Sequence, residues 1–353
     1  MIDENVMKKE IFYELVCANA KEDTLAFFIG SGFTKSIIES ALNWNELINK
    51  VGDKLGVKLD SMDKNLSEPV RFSMIVDSIS KTKCVSHEEA QLIVKNCICE
   101  LTSYDSYNYR QNIYSNFFTA ITPNCIVTTN YDTVIEKILC GKAISLSKEN
   151  AFMKTRDTIP VYHIHGVNTD FKSIVATQRD YAEYLRPNNY ALARLPFIFA
   201  EHFVVIIGYS IHDLNVLHAI DLAQQVYGIT NNARIVQINY IRNGQTRDCL
   251  YNEGGIWILD TNSIESLFED IMKYKEEKYN DVNSDEDILK IISCDENLVN
   301  EYINDSQKRN EINEKLADEK EMRDAYYPYV HNFLTNVFTI VDRESSKAYN
   351  FIA

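Results

Sequence analysis

Three short stretches of the chain carry side chains able to act on a small polar substrate. His163-Ile164-His165-Gly166 supplies two imidazoles, the groups whose ordinary pKa lies nearest neutrality and which therefore serve as general bases. Thr128-Thr129-Asn130-Tyr131-Asp132 gathers hydroxyl, amide and carboxylate groups. Gly30-Ser31-Gly32-Phe33-Thr34 is small and glycine-rich, which lets backbone N–H groups approach a pyrophosphate at a helix start. Each stretch also has a plain structural reading. The glycine segment reads equally as a strand-to-helix turn, the Thr/Asn/Asp cluster as caps for a helix starting near Thr133, and a strand histidine as a packed one. His163 and His165 alternate along one predicted strand, so they point to opposite faces and at most one meets a cleft; without nearby cysteines, this counts against a metal site. The glycine segment fails both standard phosphate motifs. A dinucleotide fingerprint needs glycine where Lys35 stands, and a P-loop needs it at Thr34.

These stretches need a scaffold, and the apolar runs beside them supply one. A helix is predicted from about Asn5 to Asn19, followed by a buried strand over Thr24 to Ile29 that ends at the glycine segment. Residues 44 to 120 read mainly as helix, an insertion between strands. Further short strands are predicted at Cys125 to Thr128, Val161 to Ile164, Phe203 to Ile207, Arg234 to Ile238 and Ile256 to Leu259. Such alternation implies an α/β, Rossmann-like fold with a mostly parallel sheet, in which ligands bind at the carboxyl ends of strands. Two more polar segments sit at such ends: Gly208-Tyr209-Ser210-Ile211-His212-Asp213 and Ile238-Asn239-Tyr240.

Composition narrows the class. The chain has 353 residues, 45% of them hydrophobic, enough for one large domain or two ordinary ones. A net charge of -15 with no Lys/Arg block argues against direct nucleic-acid binding. The N-terminus lacks the order of a signal peptide and the longest apolar stretch is too short to span a bilayer, so no membrane association and a cytoplasmic location are expected. Eight cysteines without a disulfide-like framework are expected to be reduced and mostly buried.

Taken together, the order and spacing of the five motifs resemble the sirtuin superfamily, and within it the bacterial sirtuin-like NAD-consuming proteins of anti-phage defence. Gly30-Ser31-Gly32-Phe33-Thr34 is similar to the family's Gly-Ala-Gly-x-Ser, which holds NAD phosphates, and Asn43-Trp44-Asn45-Glu46-Leu47 to its Pro-x-Trp-x-x-Leu without the proline. Thr128 to Asp132 is similar to Thr-Gln-Asn-x-Asp, with Thr129 for Gln; Asn130 and Asp132 then contact the nicotinamide ribose and amide. The resemblance selects His165, directly before Gly166, as the base and leaves His163 packed or hydrogen-bonded. It also places Gly208, Tyr209, Ser210, Asp213 and Asn239 along the adenosine half of the site, and Val175 to Tyr181 resembles a stretch that follows the His-Gly in these NADases. It covers about residues 20 to 270.

One departure decides between branches of the superfamily. Deacetylating members carry two Cys-x-x-Cys pairs between the His-Gly and the Gly-x-Ser, whereas here no cysteine lies between Cys140 and Cys249. The resemblance therefore implies NAD as substrate, no metal, and an NAD+ hydrolase with Asn130 and His165 as catalytic residues in a solvated cleft. A zinc-less ADP-ribosyltransferase or deacylase, and a silent NAD- or ADP-ribose-binding scaffold, are the alternatives. Such an activity must be held off in healthy cells, which implies control by a homo-oligomer or by a companion defence protein such as an ATPase. Residues 1–270 are assigned to the sirtuin-like domain, and 271–353 to a charged, then aromatic helical region for assembly or regulation. From Lys275 to Arg323 that region has fifteen acidic and eight basic residues.

Overall fold

The computed structural model describes residues 6–58, 66–104, 113–147, 158–184, 190–209, 214–227, 234–242, 244–283, 302–305, 307 and 309–310. In chain order the elements are β1 (Val6–Lys8), α1 (Lys9–Lys21), β2 (Leu25–Ile29), α2 (Ser31–Ile37), α3 (Trp44–Leu55), α4 (Glu68–Lys83), α5 (His87–Leu101), α6 (Ile113–Ala120), β3 (Cys125–Thr128), α7 (Val134–Ile138), β4 (Ala143–Leu146) and β5 (Ile159–His163). They continue with α8 (Gln178–Tyr184), α9 (Tyr190–Glu201), β6 (Phe203–Ile207), α10 (Leu214–Tyr227), β7 (Ile235–Tyr240), β8 (Cys249–Glu253), β9 (Ile256–Thr261) and α11 (Ile264–Asn283).

The nine strands form one sheet in the order β1-β8-β9-β7-β6-β2-β3-β5-β4, parallel except where β8 meets β9 and β1. This is an α/β, Rossmann-like architecture. All five residues of β2 are buried because both sheet faces are covered. On one face Ala26 and Phe28 pack with Leu195 and Phe199 of α9 and with Val216 and Ile220 of α10. On the other, Phe27 meets Phe117 and Phe118 of α6, and Phe117 stacks on Phe268 of α11 with centroids 3.7 Å apart.

The helical insertion builds a second core. Leu47, Ile48 and Val51 of α3, Phe72, Ile75 and Ile79 of α4, and Val94 and Ile98 of α5 pack together, closed by Tyr131, Ile174 and Ala176. Capping boxes start α3 (Asn43 with Glu46) and α5 (Ser86 with Glu89), which satisfies first-turn amides from local sequence alone.

Several details differ from the sequence reading. The first helix starts at Lys9, after a short strand, and β1, β4 and β8 join the predicted strands. These lie toward the outside of the sheet, are only partly buried and so lack an apolar run. Of the seven described cysteines only Cys17, Cys97 and Cys125 are buried. Cys84 and Cys140 are exposed, each in a left-handed turn where a helix ends.

Contacts divide the chain into Met1–Met272 and Lys273–Ala353. Within the second unit, Arg309 Nε and Nη2 donate to the carbonyls of Tyr302 and Ile303. Most of the charged stretch and the whole aromatic end of this region, residues 284–301 and 311–353, lie outside the described residues. Among the described residues no helix is long and apolar enough to cross a membrane.

Candidate active site

Backbone pairing aligns the five motifs. Ile29 pairs with Thr128 and with Ile207, Thr128 with His163, and Ile207 with Ile238, so these residues form one row across β5, β3, β2, β6 and β7. The next residue after each row position lies in a motif: Ile164, Thr129, Gly30, Gly208 and Asn239. Four of the motifs leave the sheet here, while Asn239 and Tyr240 remain in β7, paired with Asp260 and Thr261 of β9, so all five lie side by side at the carboxyl edge. From β2 the chain runs to β3 on one side and reaches β6 on the other, the topological switch where open α/β sheets place ligands.

At the centre the glycine segment lies against the β6 loop. Gly30 N–H donates to the Ile207 carbonyl and Gly32 N–H to that of Gly208, both at 2.9 Å, and Phe33 N–H turns back to Gly30. These three amides are thus used within the protein. The glycines serve close approach of two backbones: a Cβ on Gly30 would lie 2.5 Å from the Gly208 oxygen, and one on Gly208, at φ +65°, would lie 2.0 Å from Phe33 N. Ser31 is partly exposed and Gly32 exposed, so these members of the segment reach the surface. Phe33 is buried and packs its ring on Tyr114, leaving only its backbone to serve a ligand.

Thr34 ties the glycine segment to the β3 motif. Its hydroxyl accepts from Asn130 Nδ2 at 3.0 Å and donates to the Asp132 carboxylate at 3.2 Å. Asp132 also accepts the Val134 amide, so it caps α7 as well as meeting Thr34. Asn130 is held at its backbone too, where its N–H donates to Thr128 Oγ1 at 3.0 Å. Thr129, beside it, is buried.

The two histidines differ from the expectation. β5 ends at His163, and Gly166 N–H closes a turn onto the His163 carbonyl, so His165 sits in a turn and the two do not alternate along a strand. Gly166, at φ +90°, lets that turn fold against the Ser173 backbone. His163 faces the Asn130 carbonyl with Nδ1 and Glu136 Oε1 with Nε2, at 3.0 and 2.7 Å. The solvated cleft expected around Asn130 and His165 is also corrected: they are 6% and 2% exposed. The cause is the insertion and the segment after the turn, since the rings of Trp44 at the start of α3 and Tyr181 of α8 lie 6.1 and 5.4 Å from that of His165. A buried clamp holds this cover, in which Asp180 meets Lys95 of α5 at 2.7 Å and accepts the amides of Ala176 and Thr177.

Residues 124–250 match the family model of the SIR2-like domain. The SIR2-like stretch spans four of the five motifs and leaves out the glycine segment. It fits an NAD-related activity in general. No curated protein matches the chain.

Toward the outer part of the SIR2-like stretch, Asn239 Nδ2 donates to Asp260 Oδ1 at 2.8 Å. Tyr209 packs its ring on Phe28, while Ser210 and Asp213 lie outside the described residues. Sequence reading missed Glu136 and Asp260. No local spacing flagged Glu136, because its partners His163 and Ser145 come from β5 and β4. Among the described residues no group of three or more His, Cys, Asp or Glu is placed to hold a metal.

Burial pushes the Asp132 carboxyl up to about 6, against the lowering effects of the Val134 amide, His163 and Thr34. The unfolded chain ionises near the ordinary value of 3.8. A raised carboxyl favours the folded state fully below that value, and the contribution is lost as pH rises through about 6. At pH 7.5 the native state thus carries a cost of about 3 kcal/mol. Asp132→Asn is expected to melt at a higher temperature than the parent at pH 7.5, with the difference shrinking toward pH 5; melting curves at the two pH values check it.

Proposed function

We propose that the protein is an NAD+ hydrolase that cleaves the nicotinamide–ribose bond to give nicotinamide and ADP-ribose. The observation that carries the reading is that all five motifs lie side by side at the carboxyl edge of the sheet, joined at their centre by the Asn130–Thr34–Asp132 network. In NAD the pyridinium nitrogen is cationic, so nicotinamide departs neutral with the bonding electrons and leaves an oxocarbenium-like ribose. Stabilising that cation and directing water to it is the task of the site. Asp132 supplies negative charge, and Asn130 orients ribose and water. His165 takes the proton released as water adds. His165 lies under Trp44 and Tyr181, so substrate entry displaces part of this aromatic cover. Ser31, with the backbone of Gly30, Gly32, Phe33 and Thr34, borders the phosphates; Gly208, Tyr209 and Asn239, with Ser210 and Asp213, border the adenosine half.

Chromatography of NAD incubated with purified protein tests the reading. Equal amounts of free nicotinamide and ADP-ribose support it. Label from NAD on protein, or NAD-dependent loss of acyl groups from a peptide, would instead assign transferase or deacylase chemistry.

The cellular role that fits is a cytoplasmic defence effector that empties the NAD pool of an infected cell, held off by assembly or by a companion ATPase. The region after about residue 270 is assigned to that control. Truncation near Asn280 is expected to leave a folded, NAD-binding protein of lower oligomer mass on a sizing column; an unchanged oligomer with full activity would refute this assignment.

A further inference from the structure

His163 is flanked by two groups that normally accept. Its Nδ1 faces the Asn130 carbonyl at 3.0 Å and its Nε2 faces Glu136 Oε1 at 2.7 Å, with the ring almost wholly buried. A neutral imidazole has one N–H, so with Glu136 ionised one of these contacts would set a ring lone pair against an oxygen lone pair. A doubly protonated ring satisfies both. Glu136 Oε1 also accepts the Ser145 hydroxyl, as suits a carboxylate. Burial opposes charge on both partners, yet their contact holds His163 above its ordinary pKa and Glu136 below its own.

We propose that Glu136 and His163 form a buried ion pair whose imidazolium fixes the Asn130 carbonyl and supplies the positive charge beside the Asp132 carboxylate. His163 is then a positioning residue, acting through Asn130 and Asp132. The charged or titratable groups acting on Asp132 are His163 of β5, Glu136 of α7 and Tyr104 after α5. Among them His163 supplies the cation. The functional consequence rests on the hydrolase reading above, whereas the charge state of the pair can be tested without any turnover.

Nitrogen NMR of the imidazole rings in the full-length protein at pH 7.5, with His163 assigned by its absence from His163→Gln, reads the charge directly. Two protonated ring nitrogens are expected. One protonated and one bare nitrogen would overturn the proposal, including the case in which the proton sits on Glu136. In Glu136→Gln, which keeps the shape of the side chain, the ring should lose its second proton at least one pH unit lower. No change there would also overturn it. Carboxyl NMR of Asp132, assigned with Asp132→Asn, should show its titration rising by about one unit in His163→Gln. If the parent cleaves NAD, the acid limb of its pH–rate profile should move with it, cutting the rate about tenfold below that limb. An unmoved Asp132 titration in a folded His163→Gln protein would refute the tuning role. Lack of NAD cleavage by the parent would defeat the hydrolase reading alone, and if His163→Gln does not fold, His163 is assigned through its backbone resonances and the ring spectra of the parent and of Glu136→Gln decide.

Discussion

Asn130→Ala is expected to lower NAD cleavage by about 10²- to 10³-fold, the scale for loss of one preorganised polar group at a reacting centre. The residue is held from three sides: Thr34 receives its side-chain amide, Thr128 its backbone N–H, and His163 faces its backbone carbonyl. Only the first bond is lost in the variant. Thr34 keeps Asp132, so the cost to stability should be about 1 kcal/mol. A melting curve close to that of the parent, together with near-complete loss of nicotinamide release, is the expected pair of results. Equal losses of folding and activity would instead make Asn130 a structural residue.

The largest effect on stability is expected at Gly208. Alanine there would set a Cβ 2.0 Å from Phe33 N and 2.7 Å from the Gly32 carbonyl carbon, in a backbone conformation of φ +65°. Both neighbours are main chain and cannot rotate away. The two central loops must separate, at a cost of about 4 kcal/mol or more and a fall in Tm of roughly 10 °C. Gly56→Ala is the matched control, since Gly56 has a similar φ of +72° but nothing within 4 Å of an added Cβ. It should cost only about 1 kcal/mol of backbone strain. Thermal melts that rank the two variants equally would mean that the β2 and β6 loops do not touch.

The parts of the fold legible in the sequence were those where local pattern and environment coincide. β2, β3 and β6 are covered on both faces, so they show as unbroken apolar runs, and the polar motifs at their ends stand out against them. β8 did not, because Cys249–Glu253 is only partly buried. Its available signal was Gly254-Gly255, both at positive φ in the two-residue turn to β9, a typical hairpin pairing. The helical insertion was legible in outline, while its role over the site was not. That Trp44 closes on His165 depends on how α3 meets the turn after β5. The histidines show the same limit. Alternation assumed a strand through His165, but Gly166 turns the chain directly after His163, and the partner of His163 comes from α7.

The most direct test mixes NAD with a molar excess of purified full-length protein and follows free nicotinamide over hours, beside a parallel Asn130→Ala sample. The expected result is release of one nicotinamide per NAD by the parent, with an equal amount of ADP-ribose, and almost none by the variant. Recovery of intact NAD from parent protein that demonstrably binds it, or equal release by both proteins, would contradict a hydrolase centred on Asn130.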